Sequence, residues 1–150
     1  MFSQTAEYAL RAVVVLANDP EKPWTAQEIA AQSMVPQDYL MKVLQALARE
    51  GLVTAQRGRG GGFLLRRAPG DITVLEVINA VDPLRRIKYC PLGLKSHSTT
   101  LCPLHRKLDD AIRSVEEAFA STTMQDLLND PSPIQPLREG GPLCHVQITQ

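Results

Sequence analysis

The strongest constraint on the fold is a change of hydrophobic period at Gly51. Before it, apolar residues recur at i, i+3, i+4 and i+7, which predicts a helix with Pro36 as its first residue and Gly51 as its stop signal. The buried stripe of that helix consists of Leu40, Val43, Leu44 and Leu47. After Gly51, "LVTAQ" and "GFLLRRA" are short β-type runs that the glycine-rich "RGRGG" joins. The chain therefore passes from a helix into a two-stranded hairpin.

The other segments are predicted to be helical. Residues 4–18 are amphipathic, a longer helix runs from Cys102 to about Ala120, and "TTMQDLLND" is typical of one more short turn. Two capping boxes mark the starts of two further helices: Thr25 with Glu28, and Thr73 with Glu76. The long helix has one apolar stripe: Leu108, Ala111, Ile112, Val115 and Phe119. The expected fold class is mainly α with a small β-hairpin, a winged helix-turn-helix plus a long C-terminal helix.

Composition places limits on the partners and the location of this chain. At 150 residues it is expected to form one ordinary domain with an appended element, and 16 basic residues balance 16 acidic ones, so any basic surface must be local. The N-terminal apolar stretch contains Glu7 and Arg11, and its uninterrupted run "AVVVLA" is far shorter than the roughly 20 residues of a membrane span. We expect a cytoplasmic protein with no membrane partner. In that reducing compartment, three cysteines favour metal binding or thiol chemistry.

Two helices followed by a hairpin place candidate DNA-binding residues at two positions. The second helix of such a module enters the major groove, where a glutamine can bind a base edge and lysine or tyrosine can reach phosphate. The predicted contacts of this helix are Val35, Pro36, Gln37, Tyr39 and Lys42. The hairpin tip adds Arg57, Arg59 and Gly60, in a stretch from Arg57 to Arg67 that contains no acidic residue. The sequence predicts a double-stranded DNA partner.

Other functions find less support in the sequence. "GRGGG" lacks the Lys-Ser/Thr of a phosphate-binding P-loop and precedes a strand, whereas a dinucleotide fingerprint precedes a helix. A surface hairpin without a ligand and a protein-interaction module remain alternatives, although such a module would not need arginines at the tip. No nucleophile–base pair, carboxylate pair or complete metal motif indicates an enzyme.

Three stretches resemble the Rrf-two family of bacterial transcription regulators: "EYALRAVVVLA", "AQEIAAQSMVPQDYLMKVLQALAREGLVTAQRGRGGGFLL" and "ITVLEVINAVD". The resemblance covers about residues 1–128. It implies a homodimer paired through the long helix, which binds pseudo-palindromic promoter sites and usually represses. The chain divides accordingly into a winged helix-turn-helix domain (1–82), a cysteine-bearing sensor loop (83–103), a dimerisation helix region (104–130) and a flexible tail (131–150).

The same resemblance implies an iron–sulfur cluster on the sensor loop. The family spacing matches Cys90, Cys102 and His105, whereas Ser96 stands where many members have a middle cysteine. By the same resemblance Glu7, in "EYALR", would be the fourth ligand of a 2Fe–2S cluster. Substitute ligands are His97, beside Ser96, and the tail residues Cys144 and His145.

Several alternatives to a cluster stay open for this loop. Cys90 and Cys102 could form a thiol switch without a cluster, zinc could bind, or a small-molecule effector could act elsewhere on the same fold. The two cysteines could also be inert, because a buried free cysteine behaves as a small hydrophobic residue.

Overall fold

The computed structural model describes residues 2–134 and residue 136. Within them, six α-helices and two strands follow one another in this order: α1 (Gln4–Asn18), α2 (Ala26–Ser33), α3 (Gln37–Arg49), β1 (Val53–Gln56), β2 (Gly62–Leu65), α4 (Val74–Val81), α5 (Pro103–Ala120) and α6 (Met124–Leu128). Single 3-10 turns lie at Pro69–Asp71 and Lys95–His97. The predicted fold class is confirmed. Most of the predicted tail, including Cys144 and His145, lies outside the described residues.

Helix α1 lies at the centre of the core. It packs against α2, α3, α4 and α6 and against strand β2. Its buried face is made of small and medium apolar side chains: Ala6, Ala9, Ala12, Val13, Val14, Val15, Leu16 and Ala17. The stripe predicted for α3 is buried against this face, with each of its four side chains no more than 1% exposed. Because helices surround α1 on several sides, α2 and α3 are held in one fixed arrangement.

The helix starts follow the capping signals of the sequence. The Thr25 hydroxyl accepts from the Glu28 amide at 3.2 Å and the Glu28 carboxylate accepts from the Thr25 amide at 2.8 Å, so this capping box is formed. Thr73 forms the second predicted box at the start of α4. One boundary differs from prediction. Pro36 is the N-cap residue of α3, with extended ψ of 132°, and the first helical residue is Gln37.

The hairpin is anchored to the loop before α2. Strands β1 and β2 pair antiparallel, and Trp24 adds a further bridge to Phe63 through N–H···O bonds of 3.0 and 2.7 Å. A Cβ on Gly62 would lie 2.5 Å from the Trp24 carbonyl oxygen, so only glycine allows this approach of the two backbones. The sequence did not predict this bridge, because strands are recognised by an alternating hydrophobic pattern and a single paired residue cannot show one.

The long helix α5 leaves the core and the chain then returns to it. No residue of α5 is buried, yet Met124 of α6 is 0% exposed within the core. The Met124 amide donates to the Ile72 carbonyl at 2.8 Å, and the Val74 amide donates to Thr122 at 2.9 Å. The core of the unit that was predicted to end at residue 82 therefore also contains α6. No described helix is both long enough and apolar enough to cross a membrane.

An ion pair ties the start of the 83–103 loop to α5. The Arg86 guanidinium donates from Nε to Asp109 Oδ1 at 2.7 Å and from Nη1 to Glu116 at 3.4 Å. The Ile87 amide also donates to Asp109 Oδ1, at 2.8 Å. The Arg86 guanidinium and, to a smaller extent, the Ile87 amide lower the pKa of Asp109 to about 2. Asp109 therefore holds the loop while its carboxyl group is ionised.

We expect Asp109→Asn to destabilise the protein at neutral pH and to have less effect in acid. The folded pKa of Asp109 is below the unfolded value of about 3.9, so its contribution is present above that pH and is lost as pH falls through the folded pKa of about 2. The free energy of unfolding, measured with urea from pH 7 downward, should show a difference between wild type and variant that shrinks below about pH 4.

Asp110→Asn is the matched control, since the Asp110 carboxylate pairs only across the exposed surface of α5 with Arg113 at 3.1 Å. Its effect at neutral pH should be smaller than that of Asp109→Asn. A difference for Asp109→Asn that is absent at pH 7, or that stays constant into acid, would contradict the role of this ion pair.

Candidate functional site

The start of α3 presents a polar surface. Pro36, Gln37 and Lys42 are exposed, which contact with a partner requires. Val35 is 3% exposed and belongs to the hydrophobic core. This corrects the expectation for Val35, since a side chain packed in the core does not reach the surface of the protein. The tight turn before α3 is closed by Met34, which has a left-handed φ of 53° and donates its amide to the Ala30 carbonyl.

Tyr39 connects the start of α3 to the start of α1. Its ring, 39% exposed, makes an edge-on contact with the Tyr8 ring at a centroid distance of 5.4 Å. Its hydroxyl lies 3.4 Å from Thr5 Oγ1, and Lys42 Nζ lies 5.9 Å from its centroid. Thr5 and Tyr8 therefore belong to this surface, although the sequence pattern gave no signal for them, because the contact joins residues far apart in the chain.

The hairpin tip presents two free arginines. Arg57 and Arg59 are exposed, and within the described part of the chain neither forms an ion pair with a carboxylate. Gly58 and Gly60 have left-handed φ values of 96° and 74°, which let the chain turn sharply on either side of Arg59. The guanidinium of Arg67, by contrast, pairs with Glu76 at 2.7 Å. Unlike Arg67, the two arginines of the tip keep their charge available to a partner.

The first cysteine of the loop lies in a tight turn. The Gly93 amide donates to the Cys90 carbonyl at 3.0 Å, and Gly93 has a left-handed φ of 64°. Cys90 Sγ lies 3.7 Å from His97 Nδ1. The His97 imidazole, followed by the amides of Leu94 and Leu92, lowers the pKa of the Cys90 thiol. Hydrogen bonds to a thiolate favour it, so this cysteine is activated.

The second cysteine lies at the start of α5. The sequence predicted a helix from Cys102; in the structure Cys102 is the N-cap residue and Pro103 is the first helical residue. Cys102 Sγ lies 3.3 Å from His105 Nδ1, one turn into the helix.

The structure does not bring the four predicted metal ligands together within one chain. The Glu7 carboxylate pairs with Arg11 Nη2 at 3.1 Å on α1, and its side chain is 47% exposed. Among the described residues, no group of three or more His, Cys, Asp or Glu side chains is placed to hold a metal ion. Two thiol–imidazole pairs are formed instead: Cys90 with His97, and Cys102 with His105. Ser96 is exposed.

Helices α2 and α3 form a helix-turn-helix, and the hairpin β1–β2 with its two arginines follows as the wing. This arrangement defines the molecule as a winged helix-turn-helix DNA-binding protein. A family model described as "Rrf2: Iron-dependent Transcriptional regulator" matches residues 2–130. The chain belongs to the Rrf2 family of transcription regulators.

Known relatives agree with this assignment. The chain is 30% identical to an HTH-type transcriptional regulator of Aquifex aeolicus (86% of this chain, 92% of that protein) and 30% identical to an Rrf2-like regulator of Rhodobacter capsulatus (93% and 99%). Among solved structures it is similar to IscR of T. potens, at 26% identity, TM-score 0.73 and 95% coverage of both chains. It is also similar to CymR, the global cysteine regulator of B. subtilis, at 28% identity, TM-score 0.70 and coverage of 85% and 95%.

Substituting Arg57 and Arg59 together by alanine should weaken DNA binding on every sequence. Each arginine that neutralises a phosphate releases a counterion, so the slope of log K against log salt should fall by up to about 2. Fluorescence anisotropy over a salt series measures both quantities. Arg113→Ala, which removes an exposed arginine from α5, is the control and should change neither. An unchanged salt slope in the double variant would exclude the hairpin tip from the interface.

Proposed function

We propose that this chain is a homodimeric, sequence-specific transcription regulator, acting in the cytoplasm as a repressor, that senses redox state, nitric oxide or iron–sulfur status through its 83–103 loop. The observation that carries this proposal is that both loop cysteines contact a histidine, and that the loop joins the DNA-binding unit to α5. A regulator of this kind couples the chemistry of one segment to the spacing of its two DNA-binding surfaces.

The reading of DNA is assigned to the exposed start of α3 and the hairpin tip. Gln37, the first residue of α3, is exposed. Its side-chain amide can bind a base edge in the major groove. Tyr39 and Lys42 contact phosphate. Pro36, which has no N–H to donate, is assigned to the interface by its exposed position before Gln37. Arg57 and Arg59 enter the minor groove or bind phosphate, and Gly60 allows the backbone to approach.

The dimer is assigned to the apolar face of α5. Leu108 is 48% exposed, and with Ala111, Ile112 and Val115 it lines an apolar groove of about 420 Å³ that Phe2, Leu84 and Ile87 complete. An amphipathic helix of 18 residues with none of them buried leaves its apolar face in water. A second copy of the chain, which presents the same face, would cover both. Two α3 helices then meet the two halves of a pseudo-palindromic site.

The donor types on the loop suit an iron–sulfur cluster. Thiolates are the usual ligands of such clusters and histidine replaces cysteine at Rieske irons. Cys90, Cys102 and His105 would hold the group, with Glu7 as the fourth donor named by the family resemblance. When bound, a 2Fe–2S cluster would supply a centre that reacts with oxidants and nitric oxide. The match to an iron-dependent family and the likeness to IscR support this assignment.

A structural change in the 83–103 loop can be transmitted to the DNA-binding surfaces through α5. Arg86 and Ile87 fix the start of the loop to Asp109 of α5, and α4 packs against α1, α3 and α5. A change in the loop would therefore reposition α5 against the DNA-binding unit. Because half-sites lie about one helical turn apart, a shift of a few ångströms between two α3 helices weakens binding.

A thiol switch without a cluster is the second candidate. The lowered pKa of the Cys90 thiol increases the fraction of reactive thiolate, which is what oxidant sensing requires. The likeness to CymR, named a cysteine regulator, supports a regulator of this fold that responds to sulfur chemistry. Absorption between about 320 and 500 nm, together with bound iron and sulfide, distinguishes a cluster from this alternative.

Leu108→Asp should convert the dimer into a monomer, since a charge on the apolar face of α5 cannot be buried without a partner. Sedimentation equilibrium measures the mass, and sites selected from random DNA by the wild type measure function. Affinity for a full two-fold site should fall roughly 100-fold or more because the two halves no longer bind together. Arg106→Glu, on the opposite face of α5, is the control. A dimeric Leu108→Asp variant would reject the α5 interface.

Cys102→Ser should abolish the response of DNA binding to oxidant or nitric oxide. The serine hydroxyl is a poor metal ligand and does not form a thiolate, while the N-cap geometry of α5 is preserved. Affinity for the selected site is measured with and without the signal, and Ser98→Ala in the same loop serves as the control. If the variant still responds as the wild type does, the loop is not the sensor.

A further inference from the structure

The hydroxyl groups of Thr5 on α1 and Tyr39 on α3 meet at the protein surface. Their oxygens lie 3.4 Å apart, and either hydroxyl can be the donor. The Tyr39 ring is held in place by the Tyr8 ring, which meets it edge-on at 5.4 Å. The Tyr8 hydroxyl in turn accepts from the side-chain amide of Gln4 at 2.8 Å. The first turns of α1 and α3 therefore form one surface.

This pair of hydroxyls has more donors than it uses. Each hydroxyl carries one proton, and the single hydrogen bond between Thr5 and Tyr39 uses one of the two. Among the described residues, no other group bonds to either hydroxyl. One O–H is therefore left to donate to solvent or to a bound acceptor. The phosphate oxygens of DNA are acceptors that serine, threonine and tyrosine side chains commonly bind.

The spacing of the pair lets both hydroxyls bind the same phosphate group. Short O–H···O⁻ hydrogen bonds are ~2.5–2.7 Å long. Two hydroxyl oxygens 3.4 Å apart can both lie at that distance from one phosphate oxygen, or each can reach a different oxygen of the same group. A phosphate that binds Tyr39 is thus within reach of Thr5 without any movement of α1 relative to α3.

The charges around the pair allow an anion to approach. Lys42 Nζ lies 5.9 Å from the centroid of the Tyr39 ring. Within the part of the chain that the structure describes, Asp38 forms no ion pair with Lys42, although it lies four residues earlier on α3. The carboxylate of Glu7 on α1 is paired with Arg11 at 3.1 Å. The Lys42 ammonium is therefore available to the phosphate charge.

We propose that Thr5 is a DNA-contact residue, and that its hydroxyl and the hydroxyl of Tyr39 bind the same backbone phosphate. The proposal rests on the proposed contact of Tyr39 with phosphate and extends the interface from α3 and the hairpin tip to α1. Both hydroxyls are neutral, so the contact adds affinity without releasing a counterion. It fixes the position of the protein on DNA and does not read a base.

The first test is DNA binding by the full-length chain, measured by fluorescence anisotropy on the site that the wild type selects from random DNA. Thr5→Val keeps the shape of the side chain but lacks the hydroxyl, so affinity should fall about 3- to 10-fold. The slope of log K against log salt should not change, because no charge is lost. Thr5→Ser should bind as the wild type does. Thr99→Val, in the exposed part of the 83–103 loop, is the matched control and should have no effect.

A second test separates contact with DNA from a purely structural role of the Thr5–Tyr39 hydrogen bond. In a series of DNA duplexes, one phosphate position at a time is replaced by a neutral methylphosphonate. At one position the replacement should weaken binding of the wild type and largely remove its advantage over Thr5→Val. The advantage over Tyr39→Phe should shrink at the same position, because interacting groups show non-additive effects.

Three results would overturn the inference, and they fail at different levels. Wild-type affinity in Thr5→Val together with weaker binding by Tyr39→Phe would leave the Tyr39 contact intact and remove Thr5 from the interface. A Thr5→Val loss that is equal at every methylphosphonate position would show that Thr5 acts only through the packing of α1 on α3. Wild-type affinity in Tyr39→Phe as well would reject the proposed phosphate contact of Tyr39 itself.

Discussion

The burial of α1 is the constraint on which the rest of the structure depends. Its apolar face is rich in alanine and valine, and small side chains let several elements approach one helix closely. Helices α2, α3, α4 and α6 and strand β2 all pack on it. The arrangement leaves the start of α3 in solvent and fixes Tyr39 against Tyr8. The surface proposed to bind DNA is therefore exposed because the packing around α1 fixes the position of α3.

Helix α5 meets the same core near its C-terminal end, where Phe119 packs against it. At its C-terminal end Phe119 contacts Phe2 at 5.3 Å, and α6 returns the chain to Ile72. Along its length, Asp109 holds Arg86 and the Ile87 amide, which fixes the start of the loop. The loop with both thiol–imidazole pairs thus lies between a fixed unit and a helix whose apolar face is uncovered. The proposed coupling between the loop and DNA binding rests on that placement.

Much of the fold could be predicted because its signals are local. The four-residue stripe of α3, the capping boxes at Thr25 and Thr73, and the glycine-rich tip each express a backbone preference within a few residues. The candidate site was less predictable. The sequence grouped Val35 with the DNA contacts because it precedes α3, but a side chain at a helix entry can face the core, and this one does. Glu7 is a predicted ligand only through the family resemblance, and a resemblance gives no distances between side chains.

The sequence by itself determined the kinds of elements, their order, and the residue types available for DNA and metal binding, since period, caps and spacing are properties of neighbours in the chain. Only the tertiary structure decided which of those residues meet. Trp24 pairs with Phe63, Tyr39 with Thr5, and Arg86 with Asp109, each across a long sequence separation. Even within the loop, the 3-10 turn decided that His97 rather than Ser96 faces Cys90. Such contacts are set by how buried surfaces pack, and packing depends on all elements at once.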